Sequence, residues 1–258
     1  NGKTLTSQTY NFKVKSRENP NLVFASDWHT RTKKMLNTAK YLDEPDIVVM
    51  LGDYMDAIYD KKGIVKNIIY ASAELTSSEC PAILVRGNHD TRGEASADFM
   101  QYFGLDEFYY NVNYGDIDFI VLDTTEDKED NNPQYGGLAD FHNYRIEQTQ
   151  WLETQQATNN KYTIVLAHDP NIFIEKDLTD RVRHEFERLE VSFIVSGHIH
   201  EVGIEKEEGQ IMQIYSGGLR SNIFKICQIK INGNSIHYKA MDNKGNIIED
   251  EEILVIED

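Results

Sequence analysis

Residues 82–92 read Ala82-Ile83-Leu84-Val85-Arg86-Gly87-Asn88-His89-Asp90-Thr91-Arg92. A short apolar run gives way to a glycine and then to side chains that carry ligand nitrogens and oxygens. Runs that are apolar on both faces suit buried strands, and glycine lets the backbone turn sharply where the strand stops. The same pattern recurs four times. Leu22 to Ala25 precedes Asp27-Trp28-His29, Ile47 to Leu51 precedes Gly52-Asp53, Tyr162 to Ala167 precedes His168-Asp169, and Phe193 to Val195 precedes Gly197-His198-Ile199-His200. In open α/β sheets ligands bind beyond the carboxyl ends of the strands, so five such ends would bring these residues to one place. In extended backbone, side chains two apart face the same side, which pairs Asp27 with His29 and His198 with His200. Each cluster alone is an ordinary turn or loop; the information is in their joint order.

Helical patterns lie between several of these runs, at Lys33 to Leu42, Ile64 to Leu75, Ala95 to Phe103, Ile146 to Glu153 and Leu178 to Leu189. In the second, Ile64, Ile68, Ala71 and Leu75 share one face. Alternating strand and helix implies βαβ units and a largely parallel sheet. The last sixty or so residues change character. Ile211 to Tyr215, Phe224 to Ile231 and Ser235 to Ala240 read as strands of a meander, with a turn at Asn232-Gly233-Asn234. Gly217-Gly218 reads as a further turn, and Tyr10 to Val14 as an edge strand. Glu126 to Gly137 is acidic and polar and reads as a long loop, a class that is often functional. No internal repeat or linker divides the chain, which reads as one domain over residues 1–258.

The 258 residues carry 26 Lys+Arg against 43 Asp+Glu, a formal net charge of -17. Phosphate backbones and anionic lipid are held by clustered cations, so general nucleic-acid binding and lipid docking are not expected. No apolar run approaches a membrane span. Cys80 and Cys227 are far apart and form neither a disulfide framework nor a thiolate zinc site. Residue 1 is Asn and no signal-type apolar stretch follows, so compartment is left open, as is oligomeric state. No phosphate-binding P-loop and no GxSxG elbow occurs.

The order DxH, GD, GNH followed by an acid, a later His and GHxH resembles the calcineurin-like metallophosphoesterase superfamily. The resemblance runs from Asp27 to His200. It implies a four-layer αββα sandwich of two mixed β-sheets flanked by helices. It also implies a dinuclear centre, with Asp27, His29 and His200 on one metal, Asn88, His168 and His198 on the other, and Asp53 bridging both. These oxygen and nitrogen ligands suit Mn, Fe, Zn or Ni without choosing among them. Two metals about 3.5–4 Å apart form a clamp for in-line phosphoryl displacement and bring bound water to a pKa of about 7. The implied reaction is hydrolysis of a small-molecule phosphodiester or phosphomonoester by attack of a hydroxide bridging the two metals. His89 would stabilise the transition state or protonate the leaving oxygen. Asp56, three residues after Asp53, would orient His89 through its carboxylate.

Departures from the pattern narrow the branch. Thr30 and Ala57 stand where the serine/threonine protein phosphatases carry other residues, and Asp56 stands where purple acid phosphatases place a tyrosine. The chain looks closer to the small bacterial members that include class III cyclic-nucleotide phosphodiesterases. Three features carry that likeness: Arg92, completing GNHDxR; Leu122-Asp123; and Gln148-Thr149-Gln150-Trp151-Leu152. Arg92 would reach a substrate phosphate or base, and the loop from Glu126 to Phe141 would set specificity. Two other readings stand beside this one: a non-catalytic metal-binding scaffold of the same fold, and a metal-dependent nuclease. His142, His184 and His237 match no motif, although His142 falls where it would line the mouth of the site.

Overall fold

The structure, a computed structural model, describes residues 18–256. The edge strand read at Tyr10 to Val14 lies outside the described residues. Among the described residues, twelve strands form one sheet that curls over on itself. Its first half holds β1 (Asn21–Ala25), β2 (Ile47–Met50) and β3 (Ala82–Leu84), parallel to one another. Its second half holds β4 (Tyr110–Tyr114), β5 (Ile117–Leu122), β6 (Tyr162–Ala167), β7 (Phe193–Ser196) and β8 (Val202–Glu205). The long strands β9 (Met212–Arg220) and β10 (Ile223–Asn232) join the halves as an antiparallel hairpin. β11 (Ser235–Asp242) and β12 (Ile247–Leu254) continue from β10, with β12 at the edge.

The sheet is mixed, not largely parallel. β5, β6, β7 and β9 run parallel, but β10 enters antiparallel between β1 and β9. The C-terminal meander thus supplies the seam between the two halves. Each half turns one face inward. Phe24, Val49 and Val85 from one side pack with Phe119, Ile164 and Phe193 from the other in a buried core.

Helices cover both outer faces, completing four layers. On the first face, α1 (Thr32–Ala39) and α3 (Tyr70–Leu75) bury Met35, Ala71 and Leu75 against Val23, Val48 and Met50. A short α2 (Lys61–Ile64) leads into α3 through a π-turn, Val65–Ile69. α4 (Phe99–Phe103) closes the same side. On the second face, α5 (Phe141–Thr154) and α6 (Lys176–Arg188) set Leu152, Leu178, Val182 and Phe186 on Leu122, Val165 and Ile194. The segment read as a loop at Glu126 to Gly137 carries a single 3-10 turn, Pro133–Tyr135. Asp130 ties it to the start of α5 by accepting from the backbone N–H groups of Phe141 (2.9 Å) and His142 (3.1 Å).

Candidate metal centre

The strand ends of β1, β2, β3, β6 and β7 gather the residues quoted at the outset. The loops that carry them are stitched to one another through the backbone. Asp27 N–H donates to Gly52 O (3.0 Å), His29 N–H to Asp53 O (3.2 Å) and Gly197 N–H to His168 O (3.0 Å). The pairs Asp27/His29 and His198/His200 do not sit in extended backbone, as their two-residue spacing suggested. Asp27 (φ 53°), His29 (φ 40°), Asp53 (φ 55°), His198 (φ 67°) and His200 (φ 57°) all adopt the left-handed region. Such conformations cost about 1–3 kcal/mol each in a non-glycine residue, and they persist where surrounding contacts over-determine them.

Two glycines permit this crowding. A Cβ on Gly52 (φ +87°) would lie 2.6 Å from Gly87 N and 2.7 Å from His168 Nδ1. Gly218, read above as part of a turn, stands inside β9 at φ +126°, and a Cβ there would meet Asp27 Cβ at 2.6 Å. Its role is close approach of a strand to a ligand loop.

Two groups of side chains each converge within 4.8 Å: Asp27, His29 and His200, and Asp53, His168 and His198. A third, His29, Asp53 and His89, overlaps them. Asp53 lies between the first two. Its Oδ1 is 3.4 Å from His168 Nε2, and its Oδ2 is 3.7 Å from His29 Nε2. His200 Nε2 lies 3.3 Å from Asp27 Oδ1. The remaining ring nitrogens are held from behind: His168 Nδ1 is 2.6 Å from Leu51 O, and His200 Nδ1 is 2.7 Å from Leu219 O. His198 Nε2 is 3.8 Å from Asp169 Oδ2. A backbone carbonyl or carboxylate behind each ring is the usual support of a metal-binding histidine, because it fixes tautomer and orientation.

The donor set fits cations. Asp27 is fully buried; its Oδ2 accepts from His198 N–H (2.9 Å), while its Oδ1 has no hydrogen-bond partner. One end of the Asn88 amide lies 3.2 Å from His168 Nε2, 3.3 Å from His198 Nδ1 and 3.3 Å from Asp53 Oδ2. With its oxygen turned inward, that amide adds a lone pair to a ring of lone pairs, an arrangement a cation satisfies. The cluster is therefore suited to two closely spaced metal ions.

Without a cation the charges interact strongly. Burial raises the Asp27 carboxyl above its ordinary value, and His168 only partly offsets this. Burial pulls His168 down, but Asp53 and Asp27 outweigh it and push the ring up to about 10. Burial lowers His29. Asp90 is a further buried acid that motif reading left without a role. Its Oδ2 accepts from Asp53 N–H (2.8 Å) and Gly87 N–H (3.0 Å), and its Oδ1 from Tyr54 N–H (3.1 Å). Burial and the nearby Asp53 push it up to about 8, while these donors favour its anion. It clamps the GD loop to the GNH loop.

Two candidate residues have partners that the sequence did not announce. Asp56 does not present its carboxylate to His89: Oδ1 lies 3.1 Å from His29 Nδ1, and it is the Asp56 backbone carbonyl that meets His89 Nδ1, at 3.0 Å. The left-handed turn at His29 brings that ring under Asp56, with the two histidine rings edge to face at 4.9 Å. Arg92 is engaged by Glu126, through Nη2 to Oε1 (2.7 Å) and Nε to Oε2 (3.1 Å). Glu126 comes from the segment after β5 and carries no local signal in sequence. Asp123, buried at the end of β5, is an anchor: it binds Arg86, Tyr144 Oη (3.0 Å) and Thr125 Oγ1 (2.7 Å). His142 pairs with Glu175, His237 with Asp250, and His184 is exposed on α6.

A curled two-half sheet flanked by helices, with a His/Asp/Asn cluster for two metals at its strand ends, defines the metallophosphoesterase class of fold. Residues 20–202 match the calcineurin-like phosphoesterase family, and the chain belongs to it. Similar solved structures include a dimetal phosphatase from Danio rerio, 13% identical, with TM-score 0.68, covering 92% of this chain and 100% of that one. A second is GAP50, described as the anchor in the inner membrane complex of Plasmodium: 16% identical, TM-score 0.65, covering 93% and 90%. A third is the purple acid phosphatase PPD1 from yellow lupin (Lupinus luteus) seeds: 15% identical, TM-score 0.59, covering 91% and 53%. At these identities the likeness is one of fold. No curated protein matches the chain in sequence. Among the described residues no helix is long and apolar enough to cross a membrane.

Proposed function

We propose that this chain is a metal-dependent phosphoesterase that hydrolyses a small-molecule phosphate ester. The observation that carries the reading is the placement of Asp53, whose two carboxylate oxygens face the two different halves of the cluster. Asp27, His29 and His200 would hold one ion, Asn88, His168 and His198 the other, with Asp53 shared between them. Bound there, a metal pair supplies a Lewis-acid clamp for phosphoryl oxygens and acidifies water at neutral pH. His89 is the protein's own contribution to proton transfer. Its ring is 30% exposed, its Nε2 points into the cluster at 3.9 Å from Asp53 Oδ2, and Asp56 O holds the far nitrogen. Placed so, His89 Nε2 gives a proton to the departing oxygen, a step that general acids of this kind speed by about 10²–10⁴.

Within this reading, phosphodiesters rank ahead of monoesters on the likeness of Gly87 to Arg92, Leu122-Asp123 and Gln148 to Leu152 to the cyclic-nucleotide branch. A second reading is a metal-binding scaffold without turnover. It is favoured by the likeness to GAP50, a protein of this fold described as an anchor.

A metal-reconstituted assay of bis-p-nitrophenyl phosphate and p-nitrophenyl phosphate, run beside Asn88→Ala, separates the two. The enzyme reading expects turnover that collapses in the variant, and a faster diester reaction supports the branch assignment. Two bound metals per chain with no turnover of either ester, under Mn, Fe, Zn and Ni, would favour the scaffold over the enzyme. Cleavage of single-stranded oligonucleotides at physiological salt would move the assignment to a nuclease.

A further inference from the structure

Resting on the phosphoesterase reading above, we propose that Glu126 is a positioning residue for His89, acting through Arg92. Glu126 is 1% exposed and lies just beyond β5, far in sequence from the GNH loop. Its carboxylate grips the Arg92 guanidinium in the two-pronged geometry that fixes both partners in direction as well as distance. Asp127 Oδ1 adds a contact to Nη2 at 3.3 Å. With Nε and Nη2 so occupied, the remaining nitrogen Nη1 lies 3.2 Å from His89 Nδ1 and 3.4 Å from His89 Nε2. Nη1 thus lies within hydrogen-bonding distance of both imidazole nitrogens. The ring is held between Arg92 Nη1 and Asp56 O, with Nε2 3.9 Å from Asp53 Oδ2.

The anchor is itself anchored. Arg145, 1% exposed, donates from Nη1 to Thr125 O and Glu126 O (3.4 Å each). The chain of contacts therefore runs from α5 through the segment after β5 to the imidazole. It also gives Arg92 a structural partner: a two-pronged grip on a phosphate would have to displace the buried Glu126 carboxylate.

The test compares wild type with Glu126→Gln, Arg92→Lys and the double variant, each with metal content and thermal unfolding measured. Substrates are a p-nitrophenyl ester and a propyl ester of phosphate, in whichever ester class the wild type turns over. p-Nitrophenolate departs without a proton and propoxide does not. Misplacing His89 should therefore cost kcat on the propyl ester at least about tenfold more than on the p-nitrophenyl ester. KM and metal content should stay the same, and the double variant should be no worse than the worse single variant. Equal losses on both esters, or none, would overturn the proposal. A second readout needs no turnover. In ¹⁵N NMR the wild-type His89 Nδ1 should keep its proton, held by Asp56 O, whether or not Nε2 carries one, and in Glu126→Gln that preference should be lost. An unchanged His89 signature would refute the positioning role even if the chain hydrolyses nothing, so its failure is separable from failure of the phosphoesterase reading.

Discussion

The indole of Trp28 donates from Nε1 to the backbone carbonyl of Asn67, 3.2 Å away, and Asn67 sits inside the π-turn between α2 and α3. A π-turn shifts the helical hydrogen-bond register and leaves a carbonyl free for another donor. Trp28 is fully buried between Asp27 and His29, and it packs on Tyr54, the neighbour of Asp53, at 4.7 Å. The Asn67 side chain extends the joint, accepting from Thr32 Oγ1 (3.1 Å) and donating to Gly63 O (3.1 Å). Trp28→Phe keeps an aromatic ring but strands a buried carbonyl. We expect a loss of about 1–3 kcal/mol in chemical denaturation. We also expect weaker binding at the Asp27/His29/His200 end of the cluster by metal titration. Unchanged stoichiometry and affinity would show that the indole bond does not govern the turn.

Gly218→Ala tests the close approach of β9 to the same turn. The new methyl would fall within 2.6 Å of Asp27 Cβ and 3.2 Å of His200 Cα, at a φ that L residues avoid. Neither neighbour is the flexible end of a side chain, so the loops must part. A stability loss of about 1–3 kcal/mol is expected from the backbone conformation alone, and occupancy by two metals should fall toward one. A variant that binds two metals as tightly as wild type would place the required closeness elsewhere.

The candidate ligands could be read from the order of short motifs because each is adjacent to a strand that its own apolar run declares. Their supports could not. Which histidine receives the Asp56 carboxylate depends on a left-handed turn at His29 that no residue preference announces. Glu126 and Asp90 gain their roles from loops brought together only by the fold. The strands show the same division. β1, β2, β5, β6 and β7 are apolar on both faces and were legible. β4 alternates half-buried with exposed positions, and β12 reads Ile247-Ile248-Glu249-Asp250-Glu251-Glu252-Ile253-Leu254, acidic throughout its middle. β12 is a strand because β11 pairs with it along its length, which is tertiary context overriding composition.

Asp90→Asn probes the clamp between the GD and GNH loops. The acid accepts three backbone N–H bonds with both oxygens, whereas an amide offers one accepting end. At least one buried donor is left facing an NH₂ group, at a cost of about 1–3 kcal/mol. In a chain of this size that corresponds to a fall in melting temperature of roughly 2–4 °C per kcal/mol. An equal melting temperature would mean that the loops are held together without the second accepting oxygen.

Glu175 gives the chain a specific acid sensitivity away from the metal ligands. Its Oε1 accepts from Arg145 Nη2 (2.7 Å) and lies 3.0 Å from His142 Nδ1. Partial burial would raise the Glu175 carboxyl, but its hydrogen bonds to Arg145 and His142 and the Arg145 charge outweigh this and hold it below 4.5. A carboxyl depressed by folding adds stability that is complete above its unfolded value and is lost as pH falls through its folded value. The melting temperature of wild type should therefore decline below pH 4.5, with Glu175 contributing part of the slope. Glu175→Gln should remove that part of the slope. It should also destabilise the chain at neutral pH by about 3 kcal/mol, the low end of the range for stranding a buried charge, because Arg145 is 1% exposed but Glu175 is 20% exposed. Because Arg145 also holds the segment that carries Glu126, the same variant should loosen Arg92 from the His89 ring. If the acid slope of Glu175→Gln equals that of wild type, the ion pair does not carry the linkage.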